Sequence, residues 1–166
     1  MSAVVSDTSV LHYLSVIKQF HCLPKLFGQI FVPPAVWKEL NCRLDLPAYT
    51  FALDATTAGW LKVEPPHDKQ AVYSLLSSLG AGESEAIILA KELQPSLLLM
   101  DDLDGRLMAR KLQVPVTGTI GILSRARKHG LIVKLKPLLD ELIATHRFRF
   151  DSELYTKILR EVGESQ

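Results

Sequence analysis

Cysteine is scarce: Cys22 and Cys42 are the only two in the chain. Neither belongs to a CxxC pair or lies near a histidine at zinc-ligand spacing, which argues against a disulfide framework and a structural zinc site. No apolar run approaches the roughly 18 residues that a membrane-spanning helix needs, so no membrane association is expected. The first residues carry no basic stretch followed by an apolar core and a small-residue cleavage site. A reduced, cytoplasmic setting is the expectation. Net charge is nearly absent too, since 19 basic residues against 18 acidic ones leave +1. With no global field to advertise a polyanion partner, any nucleic-acid surface must be a local patch. Internal repeats, low-complexity tracts and linkers are likewise missing.

What is present is apolar residue enough for a core, 48% of 166 positions. A single domain over 1–166 is the expectation at that size. Ala3 to Ser6 reads as a short strand, Asp7-Thr8-Ser9 as a helix N-cap, and Val10 to Phe20 as an amphipathic helix with Leu11, Leu14 and Ile17 on one face. Ile30-Phe31-Val32 is β-branched and aromatic. Pro33-Pro34 ends it, and Ala35 to Leu40 starts a helix, because proline cannot feed a sheet ladder but suits a helix's first turn.

Between 41 and 66 the pattern is weaker, with Trp60 to Val63 as a strand candidate. Asp68 to Leu79 and Glu83 to Leu93 read as a helical hairpin broken at Gly80-Ala81-Gly82. Ser96 to Met100 is an unbroken apolar run, the pattern of a strand buried on both faces. Gly105 to Leu112 then predicts a helix, Val114 to Thr117 a strand, and Ile120 to His129 another helix. Pro137 to Val162 reads as two helices parted by Arg147 to Phe150.

Strands alternating with helices predict an α/β/α sandwich around a central parallel sheet, because parallel strands need crossover connections. In such sheets ligands bind outside the carboxyl ends of the strands. Asp7 follows the first strand and Asp101-Asp102 the strand ending at Met100, so both open onto that edge. Glu39, Glu83 and Glu85 are the other acids set next to apolar elements. Carboxylates brought together repel one another unless a positive charge lies between them. A divalent cation such as Mg²⁺, which takes hard oxygen ligands and keeps several waters, resolves the conflict and can activate water against a phosphodiester.

Five segments in order then carry a family resemblance. They are Val4-Val5-Ser6-Asp7-Thr8-Ser9, Val32-Pro33-Pro34-Ala35-Val36-Trp37-Lys38-Glu39-Leu40, Gly82-Glu83-Ser84-Glu85-Ala86-Ile87, Leu97-Leu98-Leu99-Met100-Asp101-Asp102 and Val116-Thr117-Gly118-Thr119-Ile120-Gly121. Together they resemble the motifs of PIN domains, in a prokaryotic subgroup related to VapC-type toxins, over about residues 3 to 162. Each motif alone is weak, and the ordered set is specific.

The resemblance implies an Mg²⁺- or Mn²⁺-dependent endoribonuclease, with Asp7, Glu39, Glu83 and Asp101 as its catalytic acids. Asp7, Asp101, Asp102 and Glu85 are the metal ligands it offers. Two registers stay open. Glu83 to Asp101 is a separation of 18, typical of the toxin-like branch, whereas Glu85-Ala86-Ile87, with Asp102, looks locally more like the family's acid-Ala-apolar pattern. The chain also departs from the family in having Glu where the third acid is usually Asp. It has Leu99 or Met100 where Thr or Ser often stands two residues before the fourth. Ser9 and Thr119 could supply hydroxyls instead, and Arg106 could brace the acidic pair or meet a phosphate.

Each acid has a structural reading as well. Asp7 can cap a helix for about 1 kcal/mol, Glu39 can be solvated, Glu83 can favour a helix dipole, and Asp101-Asp102 can form a turn. Arg125, in the basic run Arg125-Ala126-Arg127-Lys128-His129, is an RNA-contact candidate, although basic residues closing a helix also suit its dipole. His12, His21, His67 and His146 are scattered and read as structural or exposed. RNA is thus the expected partner. By the toxin analogy an antitoxin protein and a homodimer are expected as well. The competing reading is a catalytically weak PIN-fold module that binds RNA or a protein. A receiver-like phosphoacceptor is a weaker third, for want of an acidic pair after the first strand.

Overall fold

The structure, a computed structural model, describes residues 2–164. The outermost positions of the expected 1–166 span therefore lie outside the described residues. The chain forms two compact units, residues 1–118 and 119–166.

In the first unit, β1 (Ala3–Ser6), β2 (Ile30–Val32), β3 (Leu61–Val63), β4 (Ser96–Leu99) and β5 (Val116–Thr117) make one sheet in the order β3-β2-β1-β4-β5. Every pairing is parallel, so helices must carry the crossovers. They are α1 (Thr8–Val16), α2 (Cys22–Phe27), α3 (Pro34–Asn41), α4 (Pro47–Thr57), α5 (Lys69–Leu75), α6 (Ala81–Glu92) and α7 (Leu103–Lys111). The three-layer α/β/α arrangement expected from the alternation of elements is what forms.

Register explains the burial. Val5 pairs with Leu98, and both join Met100, Ile87, Leu89 and Ala109 in one apolar cluster beneath α6 and α7. Successive strand residues point to opposite faces, and both faces of β1 and β4 are covered, which is why these strands lack the polar alternation of an exposed sheet. On the other side α1 packs against α4, while α3 touches both α1 and α6.

The switch in strand order falls between β1 and β4, whose last paired residues are Ser6 and Leu99. The Asp7 amide continues the ladder by donating to Leu99 O at 3.0 Å, and the Met100 amide donates to Thr117 O at 2.9 Å. Asp7 and Asp101 are thereby delivered to neighbouring strand ends, at the crevice such topologies use for ligands.

Several boundaries depart from the sequence reading. The first helix stops at Val16 rather than Phe20, because Lys18 turns left-handed at φ 59°, its amide donating to Ser15 O and that of Gln19 to Leu14 O. Such a stop is ordinarily marked by glycine. The helices α2 and α4 were not anticipated. The helix α6 begins at Ala81, so the Gly80-Ala81-Gly82 run opens it, with Gly80 as N-cap, rather than breaking a helix.

The second unit consists of α8 (Thr119–Lys128), α9 (Lys136–His146) and α10 (Ser152–Glu161). Glu164 ties its end together: the carboxylate accepts from the amides of Leu135 and Lys136 at the start of α9 and from Arg127 Nε at 2.7 Å. Those donors hold the Glu164 carboxyl below its ordinary range despite the opposing effect of burial.

Candidate active site

Asp7 is the centre of the acidic group. As the N-cap of α1 its Oδ1 accepts from Val10 N at 3.1 Å, while Oδ2 accepts from the Ser9 hydroxyl at 2.7 Å. The capping reading and the site reading are therefore both true of one residue. Only 3% of Asp7 is exposed. Burial lifts its carboxyl from an ordinary 3.8 to about 8, against the lowering effect of the two hydrogen bonds, and the carboxylates of Asp101 and Glu83 push it further up. Three acids from the end of β1, the first turn of α6 and the end of β4 thus feel one another. Ser9 lines the same cavity, but its proton points at Asp7, so it orients the acid rather than offering a donor to a substrate.

Glu83 is half-buried and closes a capping box by accepting from Gly80 N at 2.7 Å. Its carboxyl is raised, first by burial and then by Asp102, Glu39 and Asp104, while the Gly80 amide works the other way. Glu39 reaches across from α3. Thr8 Oγ1 donates to Glu39 Oε2, and Gly82 N donates to its Oε1 at 3.0 Å. A Cβ on Gly82 would stand 2.6 Å from Glu39 Oε1. Glycine is required there so that the carboxylate can lie against the start of α6.

Thr8 and Gly82 were not singled out from the sequence, although both stand beside motif acids. Tyr13 was missed as well. Burial, then Asp101 and Asp7, push its phenol above the ordinary range, so it faces the same acids. Nothing in a helical tyrosine's sequence setting signals that.

The two open registers separate in space. Glu85 Oε2 accepts from Ala35 N at 2.8 Å, in the first turn of α3. It is committed to that helix N-terminus and not to the acids around Asp7, which corrects the expectation of Glu85 as a metal ligand. Asp102 is the N-cap of α7, accepting from Gly105 N at 2.7 Å through Oδ2, so one of its oxygens is occupied. Asp101 lies over Gly118, where an added Cβ would meet Asp101 Oδ1 at 2.6 Å and Arg106 Nη1 at 2.7 Å. Arg106 Nη1 donates to Met100 O at 3.1 Å. Arg106 is thus bonded to the backbone of the residue just before Asp101.

A cavity of about 300 Å³ opens beside these residues, lined by Asp7, Thr8, Ser9, His12, Glu39, Leu40, Arg43, Leu46, Ala48 and Glu83. Apart from the His12 ring, the side-chain groups in it that could hold a cation are hard oxygens, the kind that suits Mg²⁺ or Mn²⁺. The mutual disfavour among Asp7, Asp101 and Glu83 is what a cation would relieve. Among the described residues no three acid, histidine or cysteine side chains are already gathered as a ready cage. The fit is to an ion held by a few carboxylates that keeps much of its water.

The PIN-domain family DUF3368 matches residues 3–164. This chain belongs to the PIN-domain family. PIN domains are generally nucleases that use divalent metal ions. Among solved structures, a PilT N-terminus domain protein from the hyperthermophilic archaeon Sulfolobus solfataricus P2 is similar at 21% identity and a TM-score of 0.42, covering 76% of this chain and 93% of that one. No curated protein sequence matches. No helix among the described residues of this PIN domain is long and apolar enough to cross a membrane.

The remaining candidates, Thr119 and Arg125, belong to the PIN domain's second unit, at the start and in the last turn of α8. Thr119 is fully buried and Arg125 exposed.

Proposed function

We propose that this PIN domain is a metal-dependent endoribonuclease that hydrolyses RNA phosphodiester bonds. The observation that carries the reading is Asp7, a nearly enclosed carboxyl lifted to about 8 and facing Asp101 and Glu83 from two other elements. A fold that needed only a helix cap would have no use for that arrangement. Bound Mg²⁺ or Mn²⁺ would supply positive charge to the phosphoryl oxygens and to an attacking water. On this reading Asp7, Asp101 and Glu83 hold the ion, with Asp102 contributing through its uncapped oxygen. Glu39, held by Thr8 and Gly82, takes the proton of the attacking water as general base. Ser9 and Arg106 keep Asp7 and Asp101 oriented.

The test is cleavage of a pool of structured and single-stranded RNAs with Mg²⁺, Mn²⁺ or EDTA, comparing the native protein with Asp7→Asn. Metal-dependent cutting that falls roughly a hundredfold or more in the variant is expected. Equal inertness of two folded proteins would overturn the reading.

One observation favours a catalytically weak module that binds RNA or a protein. Glu83, where the family usually has Asp, spends its carboxylate on the Gly80 amide. We also infer, from the resemblance of the sequence motifs to those of VapC-type toxins, a cytoplasmic toxin that pairs with an antitoxin and acts as a homodimer. Co-purification with the product of the adjacent reading frame, and the mass of the particle in solution, test those two points.

A further inference from the structure

The two units differ in charge. Residues 119–166 carry nine lysines and arginines against six acids, a net +3, whereas residues 1–118 carry ten against twelve, a net −2. The acids of the candidate active site all belong to the first unit. In the second, Glu164, Glu161 and Asp140 bind Arg127, Lys128 and Lys136. Arg147 and Arg149, on the connection between α9 and α10, are exposed. Among the described residues neither forms an ion pair, not even with Asp151 or Glu153 just beyond them.

The backbone at Arg147 is unusual for an arginine. It ends α9 in the left-handed region at φ 55°, its amide and that of Phe148 donating to Leu142 O. Glycine ordinarily makes such a stop, because a side chain is strained there. A cation at the carbonyl end of a helix suits the dipole, but one in the last turn would do so without the strain. Strain at a residue whose side chain serves no contact of the fold points to a task outside it.

The next residues hold the segment firmly. Phe148, Arg149 and Phe150 alternate half-buried, exposed, half-buried, the pattern of an extended chain whose successive side chains point to opposite sides. The two rings lie 6.0 Å apart, edge to face, and Phe150 continues to Tyr155 of α10 at 5.7 Å. The aromatics are thus turned inward and Arg149 outward. A protein interface is anchored by apolar or aromatic side chains offered to the partner. Here the offer is guanidinium, whose fork matches two oxygens of a phosphate.

We propose that Arg147 and Arg149 form a second RNA-contact surface, on the second unit rather than at the acids, which holds the phosphate backbone without reading sequence. The proposal rests on RNA being the ligand of this chain and does not depend on cleavage.

The experiment measures equilibrium binding of two fluorescent RNAs of unrelated sequence, in EDTA and at several salt concentrations. Native protein, Arg147→Gly, Arg149→Ala, Arg149→Lys and the double variant Arg147→Gly with Arg149→Ala are compared, with melting and RNA cleavage followed on the same proteins. Arg147→Gly and Arg149→Ala should each lose about tenfold in affinity, alike for both RNAs. Each should lower the salt slope by about one phosphate contact. Arg149→Lys should recover part of the loss, because a phosphate also accepts a point charge. Arg147→Gly should bind RNA less well while melting at or above the native temperature. A residue that only closed α9 would leave binding unchanged. Should Arg147→Gly fail to fold, Arg149→Ala decides alone.

Variants that bind both RNAs as the native protein does overturn the surface, and cleavage by those same proteins would leave the nuclease reading standing. Native protein that binds RNA through the two arginines but never cuts keeps the surface and removes the nuclease reading. Absence of RNA binding by a folded native protein overturns the surface. So does a double variant that keeps its RNA affinity but loses binding to poly-glutamate, which would assign the arginines to an acidic polypeptide.

Discussion

Asp7 illustrates how one side chain can serve the fold and the chemistry at opposite thermodynamic signs. Its two hydrogen bonds stabilise the start of α1, while its burial disfavours its charge. With its folded pKa raised from 3.8 to about 8, its contribution to stability is fully present below the unfolded value and is lost as pH rises through about 8. Glu83, also raised, acts in the same direction. In EDTA, Asp7→Asn should therefore gain over the native protein as pH rises from 4 to 8.5, by at least about 1 kcal/mol at the top, the worth of one pKa unit. Chemical denaturation of both proteins across that range checks it. A gap that does not change with pH would mean that Asp7 is ionised at little cost.

Gly82 makes a complementary case. It lies in the first turn of α6 with no positive φ, so alanine there should favour the helix by up to about 1 kcal/mol. The added Cβ would strike the Glu39 carboxylate. In the native background Gly82→Ala should give no stabilisation and should impair cleavage as Glu39→Ala does. In the Glu39→Ala background it should stabilise by about 0.5 kcal/mol or more. A double-mutant cycle on melting separates the two effects, and strict additivity would refute the contact. A sequence shows that Gly82 stands beside an acid, but not that the acid reaching for it comes from 43 residues away.

At the scale of elements, the strands were the most legible. The runs Ala3–Ser6 and Ile30–Val32 were read at their observed bounds, because β-branched stretches ended by Asp or Pro have few alternatives. Missing α2 and α4 has a physical reason. The helix α2 is six residues, too short for a periodic stripe, although Pro24 in its first turn and Gly28 just past its end are start and stop signals. The helix α4 begins at Pro47 and buries only Ala48, Ala52 and Ala55, and alanine carries little hydrophobic contrast. The registers of the third and fourth acids were illegible for a related reason: i and i+2 on a helix face apart, and sequence cannot tell which of the two faces the sheet edge. The structure turns Glu85 to α3, where it accepts from Ala35 N. Glu85→Ala should cost roughly 1 kcal/mol as a lost helix-terminal carboxylate. A melting temperature equal to native would show that α3 starts well without it.

For the whole molecule, the sheet order places two strand ends side by side where helices depart to opposite faces, and the acids gather at that point. The class of fold could be read because alternating strands and helices leave few other packings. The acid constellation could be listed by residue, but not its electrostatic state, which depends on burial and on neighbours brought from four elements. That state carries a consequence separable from catalysis. An ion that binds the folded chain alone stabilises it by an amount set by its concentration over its dissociation constant, about 2.7 kcal/mol at a hundredfold excess. Mn²⁺ or Mg²⁺ should therefore raise the melting temperature of the native protein, with a smaller rise in Asp7→Asn, whose lost negative charge weakens the site. The shift should also shrink from pH 8 to pH 5, because protons compete for the same carboxylates. If neither ion moves the melting temperature of a native protein that cuts RNA, the acids act without the ion that their mutual repulsion calls for. If neither moves it and no RNA is cut, the catalytically weak module becomes the better account of the fold.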